Sequence, residues 1–410
     1  MSMASTYRGT YVDKIRFFRH TPFMTFDPTK PFNDLPDLPP TGELETKEVL
    51  KLCIEARAAL ARVDAEARLL PNPDVLINSM SLLEAKDSSE IENIVTTQDE
   101  LFKQAQLGDE RMDSATKEAL GYRAALFEGW KSLGEHPLST RTAVRVCQRL
   151  KGAEFDIRKV PGTTLKNDRT GEVIYTPPVG EDLLRAKLAN WEKFIHEATH
   201  LDPLVRLAIQ HYQFEAIHPF IDGNGRTGRI LNVLFLIEQG LLSYPVIYLS
   251  REILAERDVY YMGFQDVTTD AEWQDWIEFF LLLVQESAMR SLLTINQIRI
   301  LILHTQIYLR EVAPKLAYRE IVDLLFEQPY SRISNIVDKG IAKRQTASDY
   351  LQRLVTLGVL TELKVGNEKL FLHTKLRQLL AGDAGSITCY KLNALAPDEL
   401  LFPNLTARTS

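Results

Sequence analysis

Apolar residues recur at three- and four-residue spacings along most of the chain from residue 43 onward. This is the period of an amphipathic α-helix. The pattern predicts helices over 43–70, 74–86 and 88–95, and an almost unbroken helical series over 116–312. In the first helix the residues that recur at this spacing are Leu50, Ile54, Ala58, Ala61 and Ala65. The chain is therefore expected to be mainly α.

The first 43 residues lack this period. Six of them are prolines, which oppose helix formation, and five are phenylalanines, which a disordered tail rarely contains so densely. We expect an extended arm that packs on the helical body.

One segment interrupts the helical series, at residues 161–178, with the sequence PGTTLKNDRTGEVIYTPP. A Thr-Gly turn between short runs with β-branched residues predicts a β-hairpin. A hairpin of two strands is only marginally stable alone, and such loops often lie over a functional site. We expect this hairpin to cover part of one.

The sequence changes again after Pro314. Short helices precede the sequence TELKVGNEKLFL at 361–372, which predicts two strands joined by a turn at Gly366 and Asn367. A helix that begins near Lys343 and stops at Gly358 comes directly before them. Helix, turn, helix and hairpin in this order resemble a winged helix–turn–helix.

In such a fold the second helix can enter the major groove of DNA. Here that helix would expose Lys343, Arg344, Gln345 and Ser348, and residues 316–380 contain ten basic against seven acidic residues. Winged helices also serve as protein-docking or dimer modules, and this excess of positive charge is modest for DNA affinity. Both interpretations stay open.

Composition narrows the class of protein. Of 410 residues, 45% are hydrophobic and 25% charged, which is ordinary for a globular protein of two or three domains. The net charge of −7 excludes nucleic-acid wrapping through bulk charge. No apolar run approaches the roughly 20 residues of a membrane helix, and the N-terminus lacks a signal-peptide core. The three cysteines lack metal-ligand spacing, so we expect reduced thiols in a cytoplasmic protein without membrane contact: Cys53, Cys147 and Cys389.

The segment richest in chemistry is HPFIDGNGRTGR at residues 218–229, followed by the apolar run ILNVLFLIEQG. Pro219 and Gly223 disfavour helix before an apolar run that requires one, so a loop is expected to lead into a helix. Gly223 and Gly225 let the backbone approach a ligand closely. The free N–H groups at a helix start bind phosphate.

The side chains of this segment have complementary chemistry. Arg226 and Arg229 are three residues apart, so their guanidinium groups are neighbours on the helix and can clamp a polyphosphate. Asp222 is the natural Mg²⁺ ligand, because magnesium prefers one or two carboxylates together with substrate phosphates. The pKa of His218 suits proton removal near neutral pH. A base, a metal ligand and an anion clamp thus lie within twelve residues.

This segment resembles the motif of the Fic family of AMP-transferases, HPFx(D/E)GNGRxxR, and matches every defined position. The resemblance extends over about 43–312. It implies an all-helical Fic core with the hairpin as a flap. The implied activity is Mg²⁺-dependent transfer of AMP from ATP to a Ser, Thr or Tyr hydroxyl of a target protein, with release of pyrophosphate.

The resemblance also implies roles for single residues. His218 would deprotonate the target hydroxyl, and Asp222 would hold Mg²⁺ between the phosphates. The phosphates themselves would be bound by Gly223, Asn224, Gly225, Arg226, Thr227, Gly228 and Arg229. Tyr260 and Tyr261 fall where relatives place an adenine-side tyrosine pair. The flap would align the target segment as an added strand. Its residues for this role would be Thr164, Leu165, Lys166 and Asn167.

A second family pattern, (S/T)xxxE(G/N), lies upstream at residues 88–93, which read SSEIEN. Ser88 and Glu92 share one helix face. The resemblance implies that Glu92 pairs bidentately with Arg229 and occupies the fork that would hold the γ-phosphate. With Asn93 completing the pattern, the chain resembles the class II Fic proteins, which carry an N-terminal inhibitory helix. The alternative is a capping serine with solvated glutamates on a surface helix.

Related chemistries are less favoured by the sequence. Kinase-like toxins resembling Doc carry lysine where Gly225 stands and lack the second arginine, and nothing favours phosphocholine transfer. His211 and Glu215 are interpreted as structural residues.

The expected organisation has four parts. An arm and helical region at 1–112 carries the inhibitory helix at about 88–95, and the Fic core follows at 113–312. A winged helix at 313–380 and a tail at 381–410 complete the chain. The alternative function is a DNA-binding transcriptional regulator whose Fic core is a sensor or modifies itself. The sequence leaves the target protein, self-AMPylation and homo-oligomer formation open.

Overall fold

The computed structural model describes residues 26–70, 72–108, 112–166, 171–314, 316, 318–366, 368–382 and 390. Helices dominate it, as the apolar pattern predicts. They are α1 Lys47–Arg68, α2 Asp74–Ile91, α3 Gln98–Leu107, α4 Ser114–Leu133, α5 Thr140–Lys151, α6 Glu181–Glu197, α7 Pro203–Ile217, α8 Asn224–Glu238, α9 Ser250–Ala255, α10 Arg257–Asp270, α11 Trp273–Val312, α12 Tyr318–Glu327, α13 Ile333–Asp338, α14 Arg344–Thr356 and α15 Thr374–Leu380. The strands are β1 Leu165–Lys166, β2 Val173–Tyr175, β3 Tyr330–Ser331, β4 Thr361–Val365 and β5 Glu368–Leu372.

Helices α7 and α8 form the centre of the protein. Every residue of α7 from Leu204 to Ile217 is buried, and α8 is buried from Arg226 to Leu236. Asp202 starts α7 by accepting a hydrogen bond from the Leu204 amide, next to Pro203 at the first helical position. The loop between the two helices is therefore held on both sides by rigid, fully packed elements.

The helix α1 is present as predicted, but the apolar series that predicts it does not form its buried face. All five residues of that series are exposed, and Ile54 is 68% exposed. The buried residues of α1, which packs against the long helix α11, are Val49, Cys53, Ala56, Ala59, Leu60, Val63 and Ala67. An alanine-rich helix carries two interleaved apolar series, and only the packing partner decides which of them is buried.

The region 74–95 is also different from its prediction. Instead of helices at 74–86 and 88–95, one continuous helix, α2, ends at Ile91. Asp87, Ser88 and Ser89 have poor intrinsic helix propensity, which suggested a break. All three are buried against neighbouring elements, and tertiary contacts outweigh propensity here.

The described part of the arm, residues 26–46, lies extended on the body. The Phe32 amide donates to the carbonyl oxygen of Thr176 at 2.9 Å, just beyond β2. Gln213 Nε2 on α7 donates to the Pro36 carbonyl at 2.8 Å. The arm thus contacts both the hairpin and the central helix.

The hairpin is present, with β1 and β2 antiparallel. Its turn, including Asn167, lies outside the described residues. Tyr175 Oη donates to the carbonyl oxygen of Ala216 at 2.9 Å, which joins the base of the hairpin to the end of α7. The hairpin is therefore anchored beside the loop that follows α7.

The C-terminal unit contains α12 to α15 and a three-stranded antiparallel sheet in the order β3-β5-β4. Helix α14 begins after Lys343 and ends before Gly358, as the sequence predicts, whereas the two-residue strand β3 was not anticipated. The unit contacts α2 and α3. Glu327 Oε1 accepts from Asn72 Nδ2 at 3.0 Å, and Tyr330 Oη donates to Asp99 Oδ1 at 2.9 Å.

None of the described helices combines the length and apolar character needed to cross a membrane. Cys53 and Cys147 are buried free thiols. Cys389 lies outside the described residues.

Candidate active site

His218 ends helix α7 in a left-handed backbone conformation, with φ 50° and ψ 60°. Its amide still donates to the Phe214 carbonyl at 3.1 Å. A non-glycine residue adopts this conformation only when its surroundings enforce it, and such residues cluster at functional sites. The chain turns here out of α7 toward the start of α8.

The imidazole of His218 is oriented by its own helix. Nδ1 lies 3.3 Å from the carbonyl oxygen of Glu215. A carbonyl only accepts hydrogen bonds, so Nδ1 carries the proton and Nε2 keeps the basic lone pair. Burial, together with the positive charge of Arg158, lowers the pKa of His218 to about 4. The imidazole is therefore neutral at pH 7 and able to accept a proton.

Asn224 closes the loop after His218. Its side chain accepts a hydrogen bond from the Phe220 amide and donates one to the Phe220 carbonyl, each at 2.8 Å. Gly223 stands just before it with φ 84°, a backbone conformation that favours glycine. The side chain of Asn224 is thus used within the loop, which leaves the backbone amides at the start of α8 as the groups of the kind that bind anions.

Two glycines in the first turns of α8 make room for carboxylates. A Cβ at Gly225 would overlap Glu92 Oε1, and a Cβ at Gly228 would overlap Glu215 Oε1. Thr227 between them is buried, with its amide donating to the Gly223 carbonyl at 2.9 Å. These glycines therefore serve close approach of acidic side chains in this structure.

Arg226 belongs to a network of alternating charges. Its Nη1 lies 2.6 Å from Glu118 Oε2, and its Nη2 lies 3.5 Å from Asp222 Oδ1. Lys151 Nζ lies 2.6 Å from Asp222 Oδ2 and 3.5 Å from Glu118 Oε2. The guanidinium group of Arg226, which is predicted to bind phosphate, is thus paired with Glu118 in this structure.

Asp222 is the accessible member of this network, with 61% of its side chain exposed. Partial burial alone would raise the pKa of its carboxyl, but the hydrogen bond and charge of Lys151 outweigh burial and hold the pKa below its usual value. An ionised carboxylate beside the start of α8 fits Mg²⁺ held by one protein ligand and by phosphates. In the described part of the chain, no cluster of three or more His, Cys, Asp or Glu residues could hold a metal.

Arg229 contacts a different element from Arg226, the end of α2. Its Nε donates to Ser88 Oγ at 2.8 Å and its Nη2 to the Ser88 carbonyl at 2.8 Å. Nη2 also donates to Glu92 Oε1 at 2.9 Å. The contact with Glu92 is therefore a single hydrogen bond and not the expected bidentate pair, because Ser88 accepts from Nε and from the second N–H of Nη2.

Asn93 explains the last position of the upstream pattern. It follows α2 with φ 59°, its amide donates to the Glu90 carbonyl, and the Ile94 amide donates to the Ser89 carbonyl, each at 3.0 Å. These two bonds form a Schellman motif, which requires a left-handed residue and so favours glycine or asparagine. The motif ends the helix where Glu92 reaches Arg229.

Glu215 is a buried carboxyl beside these groups. Its Oε1 has no hydrogen-bond partner among the described residues. Burial raises its pKa to about 8, although the charge of Arg229 opposes this rise. The carboxyl is therefore mostly protonated at pH 7.

The two tyrosines predicted beside adenine have different environments. Tyr260 is buried, hydrogen-bonded to His211 Nε2 at 3.0 Å and tilted against Trp276 at 5.6 Å between ring centroids. Tyr261 is partly exposed and meets Tyr260 edge-on at 5.2 Å. Tyr260 is thus packed in the core and Tyr261 lies nearer the surface, and the placement of this pair beside adenine stays a prediction. His211, with its pKa lowered to about 3 by burial, is a packing residue as interpreted.

The structure brings together most of the predicted residues and adds others. His218, Asp222 and the start of α8 lie at one end of the central pair, with Ser88 and Glu92 opposite Arg229. Thr164 precedes β1, which contains Leu165 and Lys166, and Asn167 is not among the described residues. Sequence reasoning missed the charged residues Glu118, Lys151 and Arg158, which lie 60 or more residues from the motif and match no local pattern.

Models of protein families match three segments of this chain. One described as Fic/DOC family N-terminal matches residues 50–131, and one described as Fic/DOC family matches residues 137–236. A third, described as Protein adenylyltransferase SoFic-like, C-terminal domain, matches residues 301–376. Together these segments contain more than half of the chain.

Curated relatives match over shorter stretches. Protein adenylyltransferase fic-1 of Caenorhabditis briggsae is 36% identical over 81 residues, 19% of this chain and 15% of that protein. Protein adenylyltransferase Fic of Drosophila yakuba is 33% identical over 107 residues, 26% of this chain and 20% of that protein. The chain thus spans a fifth or less of the length of these relatives.

A solved structure is similar in fold over a much larger part. The crystal structure of a Fic family protein from Desulfovibrio desulfuricans G20 covers 82% of this chain and 98% of its own, with a TM-score of 0.52 and 19% identity.

Proposed function

Because the chain belongs to the Fic/DOC family, we propose that it is a protein adenylyltransferase, which transfers AMP from ATP to a Ser, Thr or Tyr hydroxyl of a target protein. One observation carries this proposal: the neutral imidazole of His218 precedes the amide groups at the start of α8. A base beside an anion cradle suits proton removal coupled to attack on a phosphate.

In the proposed reaction, His218 Nε2 accepts the proton of the target hydroxyl as the hydroxyl oxygen attacks the α-phosphorus of ATP. A bond forms between this oxygen and the phosphorus, and the bond from the phosphorus to the leaving pyrophosphate oxygen breaks. Arg226 and Arg229 pair with the phosphates after release from Glu118 and Glu92. When bound to Asp222, Mg²⁺ supplies positive charge to the phosphates.

The proposed enzyme inhibits itself. The hydrogen bond from Arg229 to Glu92 Oε1 uses the guanidinium fork that a γ-phosphate would need, and the Glu92 carboxylate adds a negative charge where this phosphate would lie. The negative charges of Glu92 and of the γ-phosphate would repel each other, so ATP would bind in an unproductive arrangement. Activity therefore requires Glu92 to leave Arg229.

The hairpin is proposed to receive the target. Its strand β1 contains Leu165 and Lys166, and an extended segment of the target would add to it through backbone hydrogen bonds. The anchor of β2 to α7 through Tyr175 and Ala216 would then place the target hydroxyl near His218.

The test uses ATP labelled separately at the α- and γ-phosphate, with Mg²⁺, on wild type, Glu92→Gly and His218→Ala. Self-modification suffices as a readout. Retention of α-label alone, strongest in Glu92→Gly and absent in His218→Ala, is expected. Retention of γ-label would indicate a kinase and contradict the proposal, as would undiminished α-label in His218→Ala.

The exposed start of α14 favours a second function. Lys343, Arg344 and Gln345 are exposed there, in the position of a recognition helix. We propose DNA binding through this unit as the alternative or additional role. Binding to a duplex that weakens steeply with salt, and that Arg344→Ala reduces, is expected. Equal affinity of the variant would contradict it.

A further inference from the structure

Arg158 is a buried guanidinium that has no acidic partner in the described part of the chain. It is 3% exposed and lies between α5 and β1. Among the described residues no carboxylate lies within 4.0 Å of it, and burial lowers its pKa. Taking a charge out of water is strongly unfavourable unless it is compensated. An arginine in such a place therefore needs a compensating set of acceptors.

Those acceptors are backbone carbonyls around the catalytic base. Arg158 Nε donates to the His218 carbonyl at 2.8 Å, and Nη2 donates to the Ile217 carbonyl at 3.4 Å. The amide of Arg158 donates to the Pro219 carbonyl at 2.9 Å. The last carbonyls of a helix lack partners and carry partial negative charge, so a cation at the end of α7 is stabilised there.

The same guanidinium also reaches the segment after the hairpin. Nη2 donates a hydrogen bond to the Pro178 carbonyl, three residues beyond the end of β2. One planar, rigid group thus joins the end of the hairpin segment to the turn that contains His218. No residue of the phosphate-binding segment 222–229 is among its hydrogen-bond partners.

We propose that Arg158 is a positioning residue that sets the placement of His218 relative to the target-binding hairpin. It acts through the backbone, by holding His218 in its left-handed conformation while fixing Pro178. Its positive charge additionally disfavours protonation of the imidazole. This inference rests on the proposed function, because placement of a base and a target strand matters only in a transfer reaction.

Two variants separate charge from geometry. Arg158→Met removes the charge and the hydrogen bonds, whereas Arg158→Lys keeps the charge but loses the planar fork. Arg185→Met is the matched control, because the side chain of this arginine is 44% exposed and pairs with Asp156 and Glu181. All variants are made in the Glu92→Gly background, so that transfer is measurable.

The first readout is the pKa of His218 from NMR of labelled histidines, with the peak assigned by its loss in His218→Ala. In Arg158→Met the pKa is expected to rise by about one unit, since a nearby positive charge is lost. In Arg158→Lys and Arg185→Met it is expected to stay near the wild-type value. This readout does not depend on enzymatic activity.

The second readout is transfer kinetics. Both Arg158 variants are expected to lower kcat by about 10- to 100-fold, because small misplacement of a base is enough for such a loss. KM for ATP is expected to stay unchanged. The proposal would be overturned if Arg158→Met lowers both kcat and Tm but leaves the pKa of His218 unchanged. Arg158 would then have only a structural role. Wild-type kcat in both variants would also overturn the proposal. If the pKa of His218 rises in Arg158→Met but neither the wild type nor any variant transfers AMP, the positioning role of Arg158 is supported and the proposed function is rejected.

Discussion

Glu92 Oε1 lies 2.9 Å from Arg229 Nη2, although the two residues are 137 positions apart in the chain. Glu92 follows the last turn of α2, and Arg229 stands in the second turn of α8. Ser88 completes the contact by accepting two hydrogen bonds from the same guanidinium. The end of α2 is thereby fixed against the start of the helix that would bind phosphate.

Substitution of Glu92 is expected to raise transfer. Hydrogen bonds to charged groups contribute about 1.5–3 kcal/mol, so Glu92→Gly should increase the rate by about tenfold or more. The measurement is incorporation of α-labelled AMP. Glu90→Gly is the control, since Glu90 lies in the same turn and pairs with Lys86 instead. Equal rates in the two variants would rule out the proposed inhibition.

Asn93 offers a subtler test of the same element. Asn93→Ala keeps a Cβ at this left-handed position but loses the short polar side chain that lets asparagine tolerate it, which is unfavourable by about 1 kcal/mol, whereas Asn93→Gly has no Cβ and no such penalty. Both variants lose the contact of the Asn93 side chain with Arg257, so their difference reports the backbone alone. We expect Asn93→Ala to be more active and Asn93→Gly to resemble wild type. The reverse order would exclude the Schellman motif as a support of the inhibited state.

The contact between Lys151 and Asp222 predicts a change in Mg²⁺ dependence. In the proposed reaction a divalent cation takes the place of Lys151 Nζ at Asp222 Oδ2. Lys151→Met should therefore lower the Mg²⁺ concentration needed for ATP binding, and Asp222→Asn should raise it by about tenfold. Titration calorimetry of ATP at several Mg²⁺ concentrations measures both. Arg149→Met, at an exposed position of the same helix, is the control. An unchanged Mg²⁺ requirement in Asp222→Asn would exclude this residue as a ligand.

Glu215 predicts a pH-dependent stability. Its pKa is about 8 in the folded protein and near 4.5 in an unfolded chain. Between these values only the unfolded state releases the proton, so this residue makes the fold less stable as pH rises from 4.5 to 8. Relative to wild type, Glu215→Gln should thus gain Tm between pH 5 and pH 8. Glu197→Gln, with 67% of the side chain exposed, should show no such trend. A pH-independent difference for Glu215→Gln would contradict the raised pKa.

The local motif was the most predictable part of the site. Residues 218–229 are contiguous, so the loop, the helix start and the order of base, carboxylate and arginines follow from the sequence. The engagement of Arg226 by Glu118 and of Asp222 by Lys151 does not, because these partners are set by how α4 and α5 pack. Single charged residues on long helices carry no signal of their contacts.

The errors in the helical region have a similar cause. The sequence contains two apolar series on α1 that are offset by one residue. Which of them is buried depends on how the helix is rotated toward α11. At Asp87 to Ser89 the weak propensity is genuine, but burial and the bonds of Ser88 to Arg229 compensate for it. The period of a helix is local, whereas its orientation and its length depend on distant neighbours.

The continuity of α2 has a mechanical consequence. The helix has 18 residues and is about 27 Å long. Near its start, Asn72 and Ser79 donate to Glu327 of the C-terminal unit, and at its end Ser88 binds Arg229. A hydrogen-bonded helix is stiff along its axis, so its two ends move together. A displacement of the C-terminal unit would therefore be transmitted along α2 to the contact of Ser88 and Glu92 with Arg229.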